Sequence, residues 1–160
     1  MNVSLQQLLD LFSGEAQITG RLFRHLTDAA LGQRVTPKDR SLGEMAWHIV
    51  EAIPGILTQV GLQLPALPPQ DQVARSAVSL VQAYETIARE AVEAMKGSWS
   101  DRSLEEEHEV YGFRWTKWQT VMALLFHQTH HRGAMTVLMR QAGLTLPEIY
   151  GPSRDSHGHP

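Results

Sequence analysis

Two histidines four positions apart, His127 and His131, have the spacing of a metal-binding pair. On an α-helix this spacing places both imidazoles on one face, with Cβ atoms about 5–6 Å apart, close enough for both rings to bind one metal ion. At roughly 100° per residue, both fall in the middle of the apolar stripe of the stretch 124–138, whereas His130 falls toward its edge. The pair therefore predicts a metal site that takes its third ligand from another segment.

A structural interpretation of this pair stays open, because a buried histidine can simply be hydrogen-bonded and neutral. For the third ligand, His48 is the best candidate, since it stands at the margin of the apolar face of a predicted second helix. It could equally be a boundary histidine with one nitrogen in water. The remaining histidines are less suitable: His25 on the first helix, His108 in a crossover, and His157 and His159 in a polar tail.

Four predicted helices have to position these side chains. The first helix begins at a Ser4–Gln7 capping box and ends near Gly32, and the second runs from a Ser41–Glu44 box to Val60 with Pro54 inside it. The third runs from an Asp71 N-cap to Gly97, and the fourth runs from a Thr116–Gln119 box to about Gln141. The stretch 99–115 predicts an irregular crossover with room for a short strand. We therefore expect an all-α, four-helix bundle with a long crossover between helices 3 and 4, as one domain over 1–150 with a polar, flexible tail over 151–160.

Composition excludes several classes of function. The 160 residues, 42% hydrophobic and 19% charged, suffice for one globular core, and a net charge of −3 argues against a nucleic-acid partner. The absence of cysteine removes disulfides, thiolate metal sites and cysteine nucleophiles, which leaves His, Asp and Glu as metal ligands. No basic and apolar leader and no apolar run of about 20 residues is present, so we expect a cytoplasmic protein without a membrane partner.

Three segments stand out: the SLGEMAWHI stretch over 41–49, HQTHHRG over 127–133 and GLTLP over 143–147. Together they resemble the DinB family, the DinB/YfiT-like metalloenzymes. The resemblance implies a four-helix bundle, often a homodimer, with His48, His127 and His131 as metal ligands. It also implies a small-molecule substrate and a transferase that uses a low-molecular-weight thiol, with a metal-dependent hydrolase as the alternative.

Three neutral imidazoles would leave a divalent ion with its full charge and an open position, which suits either reaction class. A non-catalytic metal-binding or interaction protein is a further hypothesis, and a plain helical dimer whose histidines bind nothing is the last. The peptidase motif His-Glu-x-x-His is absent because Gln128 follows the first histidine. Imidazole does not select one metal; zinc or nickel is expected first, with iron or manganese as alternatives.

No catalytic group is assigned by the sequence, but three residues are candidates. Arg132 could bind an anionic substrate, although its angle of about 140° from His127 favours an interhelical or surface ion pair. Glu44 and Glu51 each lie about one turn from His48 and could orient its ring or relay a proton. Both could equally be solvated helix carboxylates, and Glu44 already belongs to a capping box.

Overall fold

The computed structural model describes residues 3–156, in which four long helices form a bundle. The elements are α1 (Leu5–Phe23), α2 (Leu42–Leu57), the single-turn α3 (Gln70–Val73), α4 (Ala77–Ser98), β1 (Glu107–Val110), β2 (Phe113–Thr116) and α5 (Lys117–Gln141). Helix α4 packs between α1 and α2, and α2 packs between α4 and α5. The predicted four-helix bundle is confirmed. No helix within residues 3–156 combines the length and apolarity that a membrane crossing requires.

Side-chain caps start three of the long helices where the sequence predicts. In each capping box the first side chain accepts the backbone N–H three residues later, and that residue's side chain accepts the N–H of the cap. The three boxes are Ser4 with Gln7, Ser41 with Glu44 and Thr116 with Gln119. The starts of α2 and α5, which carry the candidate ligands, are therefore fixed by local sequence.

Three predicted helix limits are wrong. Helix α1 ends at Phe23 rather than near Gly32; the apolar spacing continues through Leu26 and Leu31, which are buried, but the chain there runs through turns. Helix α2 ends at Leu57, and a 3-10 turn leads from it to Gly61 at φ 82°.

The third long helix begins later than predicted. Its N-cap is Ser76, whose Oγ accepts the Ser79 N–H at 3.2 Å, while Asp71 lies inside the separate turn α3. The side chain of Asp28 accepts the N–H of Ala77 at 2.7 Å and thereby ties the loop after α1 to the start of α4. An apolar pattern that continues across a turn cannot show where the helix begins, because both segments bury their side chains in one core.

The crossover between α4 and α5 contains an antiparallel hairpin rather than wholly irregular chain. His108 pairs with Trp115 and Val110 with Phe113 across β1 and β2. Tyr111 (φ 50°) and Gly112 (φ 81°) form the two-residue turn, and two positive φ values are the pattern of a type I′ turn. Val110 is fully buried and anchors the hairpin against the bundle, beside α5 and the end of α2.

A tight contact at the start of α2 gives a first prediction, for Gly43→Ala. A Cβ at Gly43 would overlap the carbonyl oxygen of Ala74 and approach the Cβ of Leu31 to 3.2 Å. We expect this change to lower the free energy of unfolding by about 1–3 kcal/mol. Gly14→Ala in α1 is the control: no described atom lies within 4 Å of its added Cβ, so it should raise stability by about 0.5–1 kcal/mol. Urea denaturation measures the stability of both variants. Equal stabilities would contradict the predicted steric overlap between a Cβ at Gly43 and the carbonyl oxygen of Ala74.

Candidate metal centre

The ring nitrogens of His48 on α2 and of His127 and His131 on α5 converge at one point between the two helices. The Nε2 atom of His127 lies 3.1 Å from the Nε2 of His48 and 3.1 Å from the Nε2 of His131. The ring centroids are 4.4–4.9 Å apart, and the rings meet edge to face. Such a group of three side chains can hold a metal ion.

Packing of α2 against α5 explains why these histidines meet. His127 and His131 stand one turn apart on the side of α5 that faces α2, and His48 projects from the facing side of α2. His130 is exposed, touches only the edge of the His131 ring at 4.9 Å, and stays outside the group. The distinction between His130 and His131 follows from helix geometry alone.

Hydrogen bonding among the three rings cannot satisfy their nitrogens, and this supports a cation. A neutral imidazole carries one proton on its two nitrogens. His48 can donate from Nδ1 to Glu51 Oε1 at 3.0 Å, which leaves its Nε2 as a lone pair directed at the other rings. The Nδ1 atoms of His127 and His131 are buried and have no hydrogen-bond partner among the described residues.

The spacing of the nitrogens also fits a divalent ion. With metal–nitrogen bonds of about 2.05 Å, ligand nitrogens are about 3.3 Å apart around a tetrahedral ion and about 2.9 Å apart around an octahedral ion. The two observed Nε2 separations of 3.1 Å lie between these values. The donor set and its spacing therefore fit a metal without favouring one coordination geometry.

The surroundings keep the α5 pair in the neutral form that binds metals. Burial, followed by the charge of His48, lowers the pKa of His127 below its usual value. Burial, followed by the charges of His127 and His48, lowers the pKa of His131 to about 4. The guanidinium of Arg40, in the loop before α2, acts in the same direction on both rings. Near neutral pH both rings are thus uncharged, as metal ligation requires.

A cleft of about 560 Å³ opens beside the histidines between α2, α5 and the hairpin. Its lining consists of His48, Glu51, Ala52, Gly55, Ile56, Tyr111, Trp115, Ala123 and His127. This volume is that of a small-molecule site. The sequence did not predict the contribution of Tyr111, because its place depends on contacts with residues more than 50 positions away.

The two candidate carboxylates, Glu51 and Glu44, differ in their distance from the histidines: the first contacts His48 and the second caps α2. Glu51 lines the cleft and bonds the His48 ring, so the structure brings it to the histidines. Glu44 caps α2 through the Ser41 N–H at 2.7 Å and pairs with Arg34 at 2.9 Å. The Ser41 N–H, followed by Arg34, lowers the pKa of Glu44. Its contacts are therefore those of a helix cap.

Arg132 is 1% exposed and points away from the histidines, toward α1. Its guanidinium pairs with the carboxylate of Glu15 and donates to Thr19 Oγ1 at 2.8 Å and to Thr129 Oγ1 at 2.8 Å. It also contacts the hydroxyl of Tyr150. The structure thus shows the interhelical ion pair that the helical angle favours and does not bring this residue to the cleft.

The other histidines lie apart from the cluster. His25 follows α1 and is exposed, and His108 stands opposite Trp115 on the hairpin. His157 and His159 lie outside the described residues. Of the tryptophans, Trp47 is buried in the core, Trp115 lines the cleft, and Trp118 lines a separate cavity near the start of α1.

The fold and the histidine group together define the class of protein, a four-helix bundle with a three-histidine centre. The sequence model of the DinB family matches residues 1–157, and the chain belongs to this family. The chain is 39% identical over 152 residues to the uncharacterized protein YrdA of Bacillus subtilis (strain 168), a match that covers 95% of this chain and 91% of the relative.

Two of the solved structures that resemble this chain are DinB-like proteins. The crystal structure of a DinB-like protein from Bacillus cereus ATCC 10987 matches with a TM-score of 0.88 and 37% identity, over 94% of this chain and 100% of that one. The DinB-like protein YjoA from Bacillus subtilis matches with a TM-score of 0.70 and 16% identity, over 89% and 97% of the two chains, and shares the fold. Both likenesses support the bundle, and the first, at 37% identity, also supports the family.

Proposed function

We propose that the protein is a metal-dependent enzyme in which His48, His127 and His131 bind a divalent ion, and that it transfers a low-molecular-weight thiol to a small-molecule substrate. The observation that carries the proposal is the convergence of three Nε2 atoms at the edge of an open cleft. An ion held by three neutral imidazoles supplies a positive charge and an open coordination position, which lower the pKa of a bound thiol.

The chain's own residues would prepare this site. Glu51 accepts the Nδ1–H of His48 and so fixes the tautomer whose Nε2 lone pair faces the other two rings. Burial keeps the rings of His127 and His131 neutral. The cleft gives a small molecule access to His48 and His127, which a purely structural metal site does not need.

Three further proposals concern the ion, the oligomeric state and the location of the protein, and of these the homodimer comes from the family resemblance. The ion is zinc or nickel, because imidazole ligands suit both. The protein is a homodimer, and it acts in the cytoplasm. Gel filtration with light scattering tests the dimer, and elemental analysis of protein purified without a metal-affinity column identifies the ion.

A cobalt-substituted sample tests the proposed reaction class. We expect one cobalt per chain and, on titration with 2-mercaptoethanol or cysteine, a new sulfur-to-cobalt absorption band. Cobalt binding without a thiol band would reject thiol transfer and favour the hydrolase or a non-catalytic metal protein. Absence of stoichiometric metal, both in the purified protein and after cobalt addition, would reject the metal centre altogether.

Glu51→Gln is expected to weaken metal binding by about 10- to 100-fold, because the neutral amide holds the His48 ring less firmly in the required tautomer. Glu93→Gln, at an exposed position on α4, is the control and should leave the affinity unchanged. Competition with a chromophoric zinc chelator measures both. Equal metal affinities for the two variants would show that the 3.0 Å contact with Glu51 does not help the His48 ring to bind the metal.

A further inference from the structure

The wall of the cleft is mainly apolar and shaped by small residues. Ala52, Gly55 and Ile56 line it from α2, and Ala123 lines it from α5. A Cβ on Gly55 would lie in ordinary van der Waals contact with the hydroxyl oxygen of Tyr111, at 3.7 Å. The cleft therefore offers a hydrophobic surface next to the histidines.

Tyr111 is fixed at the mouth of this cleft in an unfavourable backbone conformation. Its φ of 50° is in the left-handed region. Residues other than glycine rarely adopt this conformation, because it costs them about 1 kcal/mol. Its N–H donates to Gln59 Oε1 at 3.1 Å, and its hydroxyl donates to the carbonyl of Gly55 at 3.2 Å. Both bonds join the hairpin turn to the end of α2 and hold the aromatic ring in place.

Trp115 supplies a second aromatic wall. Its ring stacks on Phe113 with centroids 5.2 Å apart and an angle of 8° between the planes. Trp115 lines the cleft, whereas Phe113 is 58% exposed beyond it. A flat apolar group in the cleft would thus meet two aromatic side chains, that of Trp115 and that of Tyr111, which is 66% exposed, and both favour stacking or edge contacts.

The side chains that line the cleft disfavour an anionic group, because Arg40, whose charge acts on the rings of His127 and His131, lies outside the lining. Glu51 is the charged side chain among the lining residues, and neither lysine nor arginine lines the cleft. Arg114 follows the alternation of the strand to the side opposite Trp115, where it pairs with Glu107 at 2.5 Å. In the metal-free protein, a carboxylate in the cleft would face Glu51 without a cationic partner from the lining. A divalent ion on the histidines would add a positive charge at one end, so the charge preference is that of the chelated protein.

We propose that this cleft is a binding subsite for an aromatic group that is uncharged or cationic, and that Tyr111 and Trp115 select the aromatic ring while Glu51 disfavours an anion. The inference rests on the proposed function, since the bound group would belong to the molecule on which the metal centre acts. It adds a substrate class: an aromatic small molecule with no acidic group on the part that enters the cleft.

Benzylamine, benzyl alcohol and benzoate form a probe series of similar size that differs in charge. Their dissociation constants are measured by ligand-observed NMR on the purified full-length protein, both as isolated and after chelation. We expect the amine and the alcohol to bind chelated protein at least about tenfold more tightly than benzoate, and Glu51→Gln to reduce the advantage of the amine. Benzoate binding as tight as benzylamine to the chelated protein would overturn the charge argument.

Two variants locate the subsite. Trp115→Ala and the cleft-filling Ala123→Leu should each weaken benzyl alcohol binding by about tenfold or more. The control is Phe126→Ala, an aromatic residue that is 66% exposed on α5 and outside the cleft lining. Ala123→Leu leaves the hairpin sequence intact, so it tests whether the probe binds in the cleft even if the Trp115→Ala variant does not fold. Unchanged binding in Ala123→Leu, or an equal loss in Phe126→Ala, would overturn the assignment.

The binding series separates this inference from the proposed function. If the protein holds no metal as isolated and takes up no cobalt, but still binds the aromatic probes, the subsite would be supported and the enzyme proposal rejected. A metal centre that binds thiols while the cleft shows no preference for the benzyl probes would overturn the subsite alone.

Discussion

Replacing His131 by alanine is expected to abolish stoichiometric metal binding, whereas replacing its neighbour His130 is expected to leave it intact. The Nε2 of His131 lies 3.1 Å from that of His127 and belongs to the histidine group, but His130 is exposed and outside it. Loss of a direct ligand should exceed the roughly 100-fold effect of removing a supporting residue. Two adjacent residues of the same type thus give opposite expectations.

Zinc titration with a competing chelator, together with elemental analysis, measures this difference. Both variants should keep the helical circular dichroism of the parent, because the ligand cluster is a small part of the interface between α2 and α5. Equal zinc affinities for His131→Ala and His130→Ala would refute the ligand assignment. A parallel loss in His48→Ala would show that the site needs both helices.

The sequence predicted the α5 half of the site because helix geometry alone decides it. Spacing by one turn and a place on the apolar stripe separate His131 from His130 without tertiary information. His48 was harder to assign, since its helical position suited a boundary histidine equally well, and the family resemblance was needed to choose it. Contact between α2 and α5 is a property of the whole bundle.

The cleft could not be predicted in the same way. Tyr111 reaches Gly55 across 56 positions, and the hairpin that carries it shows only a short alternating pattern. Gly112 was the available local signal, because a positive φ at such a residue favours a hairpin turn. The burial of Val110 determines which side of the hairpin packs against the bundle. The local sequence pattern does not reveal that burial.

Helix α5 also differs from the single apolar stripe that the sequence suggested. It has one broad buried face, on which Gln128 and Arg132 lie among Val121, Met135 and Met139 and contact α4 and α1. The half-buried His127 and His131 lie at the edge of this face, toward α2, rather than in its middle. Gln128 accepts a hydrogen bond from Tyr84 at 3.1 Å, and burial raises the pKa of that tyrosine to about 12. Polar residues therefore fix how α5 is rotated relative to its neighbours, and with it the direction of the histidines.

Arg132→Met is expected to lower the free energy of unfolding by about 3–5 kcal/mol, the usual loss when one partner of a buried ion pair is removed. Methionine keeps much of the side-chain volume but leaves the carboxylate of Glu15, whose side chain is 16% exposed, without its guanidinium. It also removes donors to Thr19, Thr129 and the Glu15 carbonyl. Arg24→Met is the matched control, because Arg24 pairs with Glu85 at the surface, with side chains 58% and 41% exposed, and should lose less than about 1 kcal/mol.

Urea denaturation of metal-free protein gives both values without the stabilisation that a bound ion would add. The double variant Glu15→Leu with Arg132→Met separates the buried charge from the lost packing. If the isolated carboxylate causes most of the loss, the double variant will be more stable than Arg132→Met alone, because no charge is left buried. If Arg132→Met lowers the free energy of unfolding no more than Arg24→Met does, the ion pair between Arg132 on α5 and Glu15 on α1 contributes little to stability. The rotation of α5 would then depend on its apolar contacts with α2.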